Sequence, residues 1–566
     1  MKKILIYSIV LLFSLAACSK DFLNTDKLTQ KNSSNFPANA TEANQALTGA
    51  YSVLNSFNGM SYITLLSELM SDDRFGGGGQ NDRDPQAIDV FKVTSMNMHQ
   101  DCWTKYYRGI YRCNSLLGSL NNAKWDTISQ RKQVFGETSF LRAYYYFDLA
   151  RLFGNVPLVT SPLPVNNPQA KPEELYGQIV LDLKNAIDSL PAKPFAPEYI
   201  GRATKWSAEA LMARVFLFYT GYYNKTEIAL PGTAGIITKQ QVIGWVDDCV
   251  TNSGHSLVAD FRNQWPYTIS GVDYPYVKNN NLSWVGDAGA NKENIFNIRF
   301  MYNASTEWNS QVYYSNQLDI YCGQRSGTVQ VPIGKGWGFC PVNPRFYEEW
   351  PSTDIRRQGS ICNVLDPTEG IETYGFGSDM QWQESGYIGK KYVAINVKFG
   401  GVKVNWSVMK YNAVDNFQIN NTQDIVTMRL ADVLLMGAEL GSGHAQQYMD
   451  MVRLRSGLTS LAPTLDNIKI ERHHELAFEG VRYFDLLRWY GKEAGVEIKK
   501  NDTGATIFNM AVATTINAEA NGYFNKIDAR VRATGGFLMI PDNEIQLSKG
   551  VLVQNPGWVN SGDYTF

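Results

Sequence analysis

The chain has 566 residues, long enough for several hydrophobic cores at about 150 residues per domain. Its charge is nearly balanced, with 52 basic against 54 acidic side chains, which argues against a nucleic-acid-binding surface. Aromatic residues make up 13% of it (31 Tyr, 27 Phe, 13 Trp), enough that some rings are expected outside the core as stacking surfaces.

At the N-terminus, Lys2 and Lys3 precede a short apolar run, Ile4 to Ser14, closed by Leu15-Ala16-Ala17-Cys18. A basic start, an apolar stretch and small residues at the cut site make an export signal. The run is too short to span a bilayer, which needs about 20 residues. Leu-Ala-Ala-Cys is the pattern of a bacterial lipoprotein signal: residues 1–17 are removed, and Cys18 carries the lipid as the first mature residue. Two or more acyl chains hold a protein firmly to a membrane.

The region 18–254 reads as successive helices. Thr41 to Phe57, His99 to Leu120 and Gly136 to Phe153 place apolar residues at helical spacing, the last of them on most of its sides, as in a buried helix. Gly154 stops that helix and Pro157 follows. Pro172 opens the next, and Pro191 ends it; Trp206 to Tyr219, with Ala208, Ala210 and Ala213, permits close helix contact. Amphipathic helices with short connections suggest paired-helix packing of repeat type, although no clean fixed period is visible. From 255 to 425 the helical period fades and Gly, Asn, Pro and aromatic residues dominate, as in Trp337-Gly338-Phe339. Loops this long in a compact protein are usually functional. Helices return in the region 426–566, at Thr427 to Leu440, Gln446 to Arg455 and Asn467 to Trp489, before a non-helical tail.

Six cysteines follow Cys18, none in a C-x-x-C pair or a zinc-like cluster. Export permits disulfides. Cys322 with Cys340 and Cys102 with Cys113 are open pairings, and free buried thiols are the alternative.

Several blocks, in order, resemble the SusD/RagB family of outer-membrane nutrient-binding lipoproteins. They are Cys18-Ser-Lys-Asp-Phe-Leu-Asn, Thr48-Gly49-Ala50-Tyr51, the stretch Gly136 to Leu149, and Gly201-Arg202-Ala203-Thr204. Arg429 to Met436, Val452 to Leu458, Glu471 to Trp489, Ile540-Pro541 and Gln554-Asn555-Pro556-Gly557-Trp558 complete the set. The middle matches poorly apart from Asn294 to Ile298, and in that family ligand specificity sits there. The resemblance implies a mainly α fold: tetratricopeptide-like helix pairs (18–254 with 426–566) carrying an irregular ligand-binding lobe (255–425). It also implies a lipid-anchored protein on the outer surface of the outer membrane. Such a protein captures glycan as the lid of a SusC-like TonB-dependent transporter, without catalysis.

The 471–489 block invites a metalloprotease reading through His474-Glu475, but H-E-x-x-H needs a second histidine where Phe478 stands. Glu471, Glu475 and Glu479 recur at four-residue spacing and are expected to pair with Arg472, Arg482 or Arg488 as a structural clamp. The stretch Ser71 to Asp84 contains four glycines without phosphate-loop spacing. A flexible polar loop suits sugar hydroxyls, which want paired donors and acceptors. Asp73, Arg74, Asn81 and Asp82 are the candidate polar contacts. The same oxygens could suit Ca²⁺, although the pattern is not a recognised calcium loop.

Trp284, Trp308, Trp337 and Trp382, with Tyr313 and Tyr314, lie in the loop-rich middle and are the candidate stacking rings, since a pyranose has apolar C–H faces and hydroxyl edges. Trp206, Trp489 and Trp558 are expected in the core. The function expected is polysaccharide or oligosaccharide capture, and flat tryptophan platforms suit a β-linked glucan. A peptide or glycopeptide binder on the same scaffold is one alternative. A glycoside hydrolase is another; it would need two carboxylates about 5 Å or 6.5–9.5 Å apart, from Asp72, Asp73, Asp82 or Asp84.

Overall fold

The computed structural model describes residues 31, 35–56, 60–288, 291–302, 314–325, 330–371, 374–509, 514–517 and 526–558. Cys18 and the signal sequence lie outside the described residues, as do Trp308 and Tyr313. The fold is mainly helical, and among the described residues the strands form only two-stranded antiparallel pairs.

The scaffold consists of α1 (Ala40–Asn55), α2 (Gln100–Ser119), α3 (Ile128–Phe153), α4 (Pro172–Ser189), α5 (Lys205–Tyr222), α6 (Lys239–Asn252), α7 (Leu430–Leu440), α8 (Ala445–Arg455), α9 (Leu465–Glu475) and α10 (Arg482–Tyr490). From α1 to α8 each packs on the next, as in a stack of tetratricopeptide-like pairs; α9 packs on α7 and α10 on α5. The chain leaves this stack after α6 and re-enters at α7, which packs directly on α6. At the neck, strand Asn294–Ile298 pairs antiparallel with strand Ile425–Arg429, so the entry and exit of the excursion are hydrogen-bonded together.

α3 is the axis of the stack. Thr127 caps it in a reciprocal capping box with Gln130, and Gly154, at φ +70°, ends it against Phe537. From Gly136 to Phe153 every residue is buried. Its charged groups are therefore paired. Arg142 grips Asp182 of α4 through two hydrogen bonds of 2.8 and 2.6 Å, and Glu137 accepts from Tyr51 of α1 (2.6 Å) and Arg202 (2.7 Å).

The structure moves several helix boundaries. α3 begins eight residues earlier than its apolar pattern suggests, because the Thr127 box, not hydrophobicity, sets the start. α6 carries Val242, Ile243, Val246 and Cys249 on one buried face. Residues 425–429 are strand rather than helix. The expected helix from 467 to 489 is two helices, α9 and α10. Phe478 (φ +65°) and Gly480 (φ +73°) break it, and the Gly480 N–H donates to Glu68 Oε1 at 2.9 Å.

The glutamate clamp exists, but with other partners. Glu471 binds Arg356 (2.5 Å) and Arg453 (2.7 Å); Glu475 binds Arg356 (2.9 Å), Arg429 (2.5 Å) and Arg455; Glu479 binds Arg429 (2.7 Å) and Lys391 (2.7 Å). Arg472, Arg482 and Arg488 instead hold Asp432 and Asp485, Asp72, and Glu439 with Asp485. With Asp354 on Arg356 and Glu293 on Arg429 and Arg455, the clamp sets five cations against five carboxylates. Arg356 and Lys391 come from the excursion and Glu471 and Glu475 from α9, so the network rivets the lobe to the stack. Burial alone would raise the Glu475 carboxyl, but Arg455, Arg429 and Arg356 hold it well below its ordinary value. Burial pushes the Lys391 ammonium down to about 8.

All six described cysteines are free and buried. Cys322 and Cys340 are neighbours, and the hydrogen bond between their thiols pulls the Cys322 pKa down.

Candidate functional site

The Ser71–Asp84 stretch divides at Phe75. Its first half is dry. Arg74 is 1% exposed, pairs with Glu68 (3.2 Å), donates to the Cys340 carbonyl (2.6 Å) and lies 4.0 Å over the Phe478 ring. Asp73 is fully buried, with Oδ1 2.5 Å from His473 Nε2. Asp72 takes two hydrogen bonds from Arg482, at 2.8 and 2.6 Å. Burial would raise its carboxyl, but the guanidinium more than offsets this and holds it below the usual carboxylate range. Asp73 and Arg74 are thus removed from the expected sugar contacts, because Asp73 is drawn inside by His473 of α9, and Arg74 by Glu68, the Cys340 carbonyl and the Phe478 ring. Asp72, Asp73 and His473 are close enough to hold an ion, yet Arg482 already supplies the positive charge that Ca²⁺ would bring to Asp72.

The second half reaches solvent from Gln80 to Asp84, while Gly76 to Gly79 are buried beneath that tip. Gly77 and Gly78 have φ of +66° and +73°. A Cβ on Gly77 would stand 2.3 Å from the Gly338 carbonyl, and one on Gly78 2.6 Å from the Phe339 ring. Glycine is needed because the loop lies backbone to backbone against the segment 335–340: the Gly78 N–H donates to Gly338 O at 2.8 Å. A third segment closes on the other side, where the Trp382 N–H donates to Gly78 O at 2.7 Å and Gln383 accepts from the Gly77 N–H at 2.8 Å. In it Asp379, Met380 and Gln383 all have positive φ (50°, 61° and 54°), a concentration of backbone strain of the kind found at binding sites.

Arg325 joins the three segments. Its guanidinium donates to Asp82 Oδ2 (3.0 Å), the Trp337 carbonyl (3.1 Å) and the Asp379 carbonyl (2.8 Å), while Asp82 also accepts from the Gly79 N–H at 2.6 Å. Trp337 is half-buried, its ring edge-on to Tyr321 at 4.9 Å. Trp382 is half-buried too, Asn81 and Gln80 are exposed at the loop tip, and Met380 and Phe376 are 52% and 40% exposed. The structure therefore brings together four of the residues singled out from sequence: Asn81, Asp82, Trp337 and Trp382. Trp284 belongs to a different cleft, beside Trp406. Trp206 and Trp558 are core residues at 2% exposure, and Trp489 is half-buried with its indole donating to Glu439. Arg325, Phe376 and Met380 were not legible as site residues; the weak signal was an arginine close to glycines, in Gly323-Gln324-Arg325-Ser326-Gly327.

Two family models match in succession. The one described as "Starch-binding associating with outer membrane" matches residues 21–217, and the one described as "SusD family" matches residues 292–558. The chain belongs to the SusD family. Among curated relatives of this SusD-family chain, SusD-like protein P25 of Formosa agariphila is 24% identical over 541 residues, covering 86% of this chain and 90% of its own length. A SusD-like protein of Bacteroides ovatus is 24% identical, covering 72% and 68%. Among solved structures, a laminarin-binding SusD-like protein superposes with a TM-score of 0.70 at 27% identity, over 92% of this chain and 100% of that one. Surface glycan-binding protein A from Bacteroides thetaiotaomicron, solved with laminarihexaose, gives 0.67 at 23% identity, over 91% and 99%.

Proposed function

We propose that the protein is a cell-surface lipoprotein that captures a polysaccharide or oligosaccharide on the Trp337–Trp382 platform, with a β-glucan of the laminarin type as ligand. The observation that carries this reading is the assembly of two half-exposed tryptophans and the polar Asn81 and Asp82 on one strained, glycine-backed surface. A pyranose needs both: an indole face for its C–H surface, and donors and acceptors for its hydroxyls. The laminarin-binding relative supports the choice of glucan. Cys18 anchors the mature chain to the outer membrane through its lipid, and the captured glycan passes to a SusC-like TonB-dependent transporter that the protein covers.

The role is non-catalytic. A hydrolase needs a proton donor and a second carboxylate across the scissile bond. Asp72 and Asp73 are buried in ion pairs, and the Asp82 carboxylate is held by Arg325 and the Gly79 N–H.

The test is affinity electrophoresis of residues 19–566 in gels containing laminarin, other β-glucans, α-glucans or fructans, with Trp337→Ala, Trp382→Ala and Trp308→Ala alongside. Retardation by a β-glucan, lost in Trp337→Ala or Trp382→Ala, is the expected result. No retardation by any glycan, together with capture of a peptide or glycopeptide pool, would replace this reading with the peptide-binding one.

A further inference from the structure

The cleft that holds Trp284 has a volume of about 420 Å³ and shares no lining residue with the platform. It opens at the neck of the lobe, where strands Asn294–Ile298 and Ile425–Arg429 pair. One wall is aromatic. Trp284 stands edge-on to Trp406 at 5.7 Å and 87°, and its indole N–H donates to the Gln264 carbonyl at 3.2 Å. Tyr411 follows on the same short helix, Trp406–Tyr411, with Tyr302 stacked on it at 5.9 Å and 7°. Lys410 Nζ lies 5.4, 5.2 and 5.8 Å from the rings of Trp284, Trp406 and Tyr411, one cation holding three rings in place.

The opposite wall is polar. Arg299 is paired with Asp424 at 2.8 Å, and its side chain is still 53% exposed. Asn297 is 4% exposed, lines the cleft, and has a buried Oδ1 with no hydrogen-bond partner among the described residues. A buried amide oxygen left unpaired is destabilising unless a ligand or water supplies a donor. Rings on one side, and an arginine fork with an unmet acceptor on the other, match the two kinds of surface on a sugar. An apolar ligand would leave Asn297 unsatisfied, and a purely ionic one would leave the rings unused.

We infer that this cleft is a second saccharide-binding site, which seats one pyranose unit against Trp284 and Tyr411 with a hydroxyl donating to Asn297. The inference rests on the reading of the protein as a glycan binder, and it adds a second point of attachment away from the platform. A chain held at two points binds more tightly than at either alone, even when each contact is weak.

The test uses residues 19–566 with Trp337 and Trp382 both changed to alanine, and laminarihexaose as probe. Saturation-transfer NMR should still detect binding, on the order of tenfold weaker than in the unmodified protein. Adding Tyr411→Ala should abolish it. Tyr411 is 40% exposed, so its truncation leaves the core intact, and a thermal melt checks this. With 5-fluorotryptophan incorporated, the ¹⁹F resonance assigned by Trp284→Phe should shift on titration. Binding by the unmodified protein but none by the platform variant would overturn the second site and leave the platform standing. Binding by neither protein, to laminarihexaose or to any other hexasaccharide tried, would overturn the glycan reading and this inference with it.

Discussion

The two halves of residues 71–84 have similar compositions and opposite fates. Ser71 to Arg74 carries two aspartates and an arginine, all buried and paired, Asp72 with Arg482, Asp73 with His473 and Arg74 with Glu68; Gln80 to Asp84 carries two aspartates, an asparagine and an arginine near solvent. What separates them is whether counter-charges wait on a packed neighbour. Charge inside a protein is tolerated only when paired, so buried pairs hold the lobe in place and are unavailable to a ligand. In the glycine-backed half the N–H groups are met by the Gly338 carbonyl and by the side chains of Asp89, Gln383 and Asp82, and Gln80 and Asn81 stand at the exposed tip.

The largest effect expected on the dry side is from Glu475→Ala. It would strand Arg356, Arg429 and Arg455 without their shared carboxylate and should cost about 3–5 kcal/mol in denaturant unfolding. A loss under about 1 kcal/mol would mean that the clamp does not rivet the lobe.

Acid should attack the buried ion pairs. Glu475, Asp72 and Asp432 have folded pKa values below their ordinary 4.5, 3.8 and 3.8. Below about pH 4.5 the unfolded chain takes up protons that the folded one refuses. The stability these three carboxylates contribute is therefore present above that pH and drains away as pH falls, by ~2 kcal/mol or more near pH 3. Urea midpoints at pH 7, 5 and 3 would show this, with a flatter acid limb in Glu475→Gln.

On the wet side, Gly77→Ala forces a Cβ into the Gly338 carbonyl at positive φ and should cost roughly 1–3 kcal/mol and weaken glycan binding. Gly118→Ala, within α2 and with open space around it, should be neutral or slightly stabilising. Equal melting temperatures for the two variants would break the argument that glycine is there for close approach. Asp82→Asn should do least to the fold: its pair with Arg325 is about a third exposed, and such pairs contribute about 0–1 kcal/mol. If its melting temperature falls as far as that of Glu475→Ala, the two halves are not the different environments described.

Much of the scaffold is written in local sequence. Apolar spacing marks α1 to α5, and the ordered blocks from Thr48 to Trp558 mark the family. Boundaries were less legible where a cap or a single backbone angle decides them, as at Thr127 and Gly480. The platform was half legible: Trp337 between two glycines announces an exposed ring, and Asn81 and Asp82 sit on a polar loop. Asp73 and Arg74 misled because Asp73 meets His473, and Arg74 meets the Cys340 carbonyl and the Phe478 ring, only through tertiary packing, although Glu68, the ion-pair partner of Arg74, is six residues away. Trp284 stands out in the sequence as a ring in the loop-rich middle, but its companions Trp406 and Tyr411 join its cleft only through tertiary packing.

The central claim is that the glycine-backed platform binds glycan while the fold rests elsewhere. Isothermal titration of laminarihexaose into residues 19–566 and its Trp337→Ala variant, with melting curves on the same samples, tests it most directly. The account predicts a loss of affinity of about tenfold or more, near 1.4 kcal/mol, with an almost unchanged melting temperature. Unchanged affinity, or a loss that merely follows a collapse in melting temperature, would contradict it.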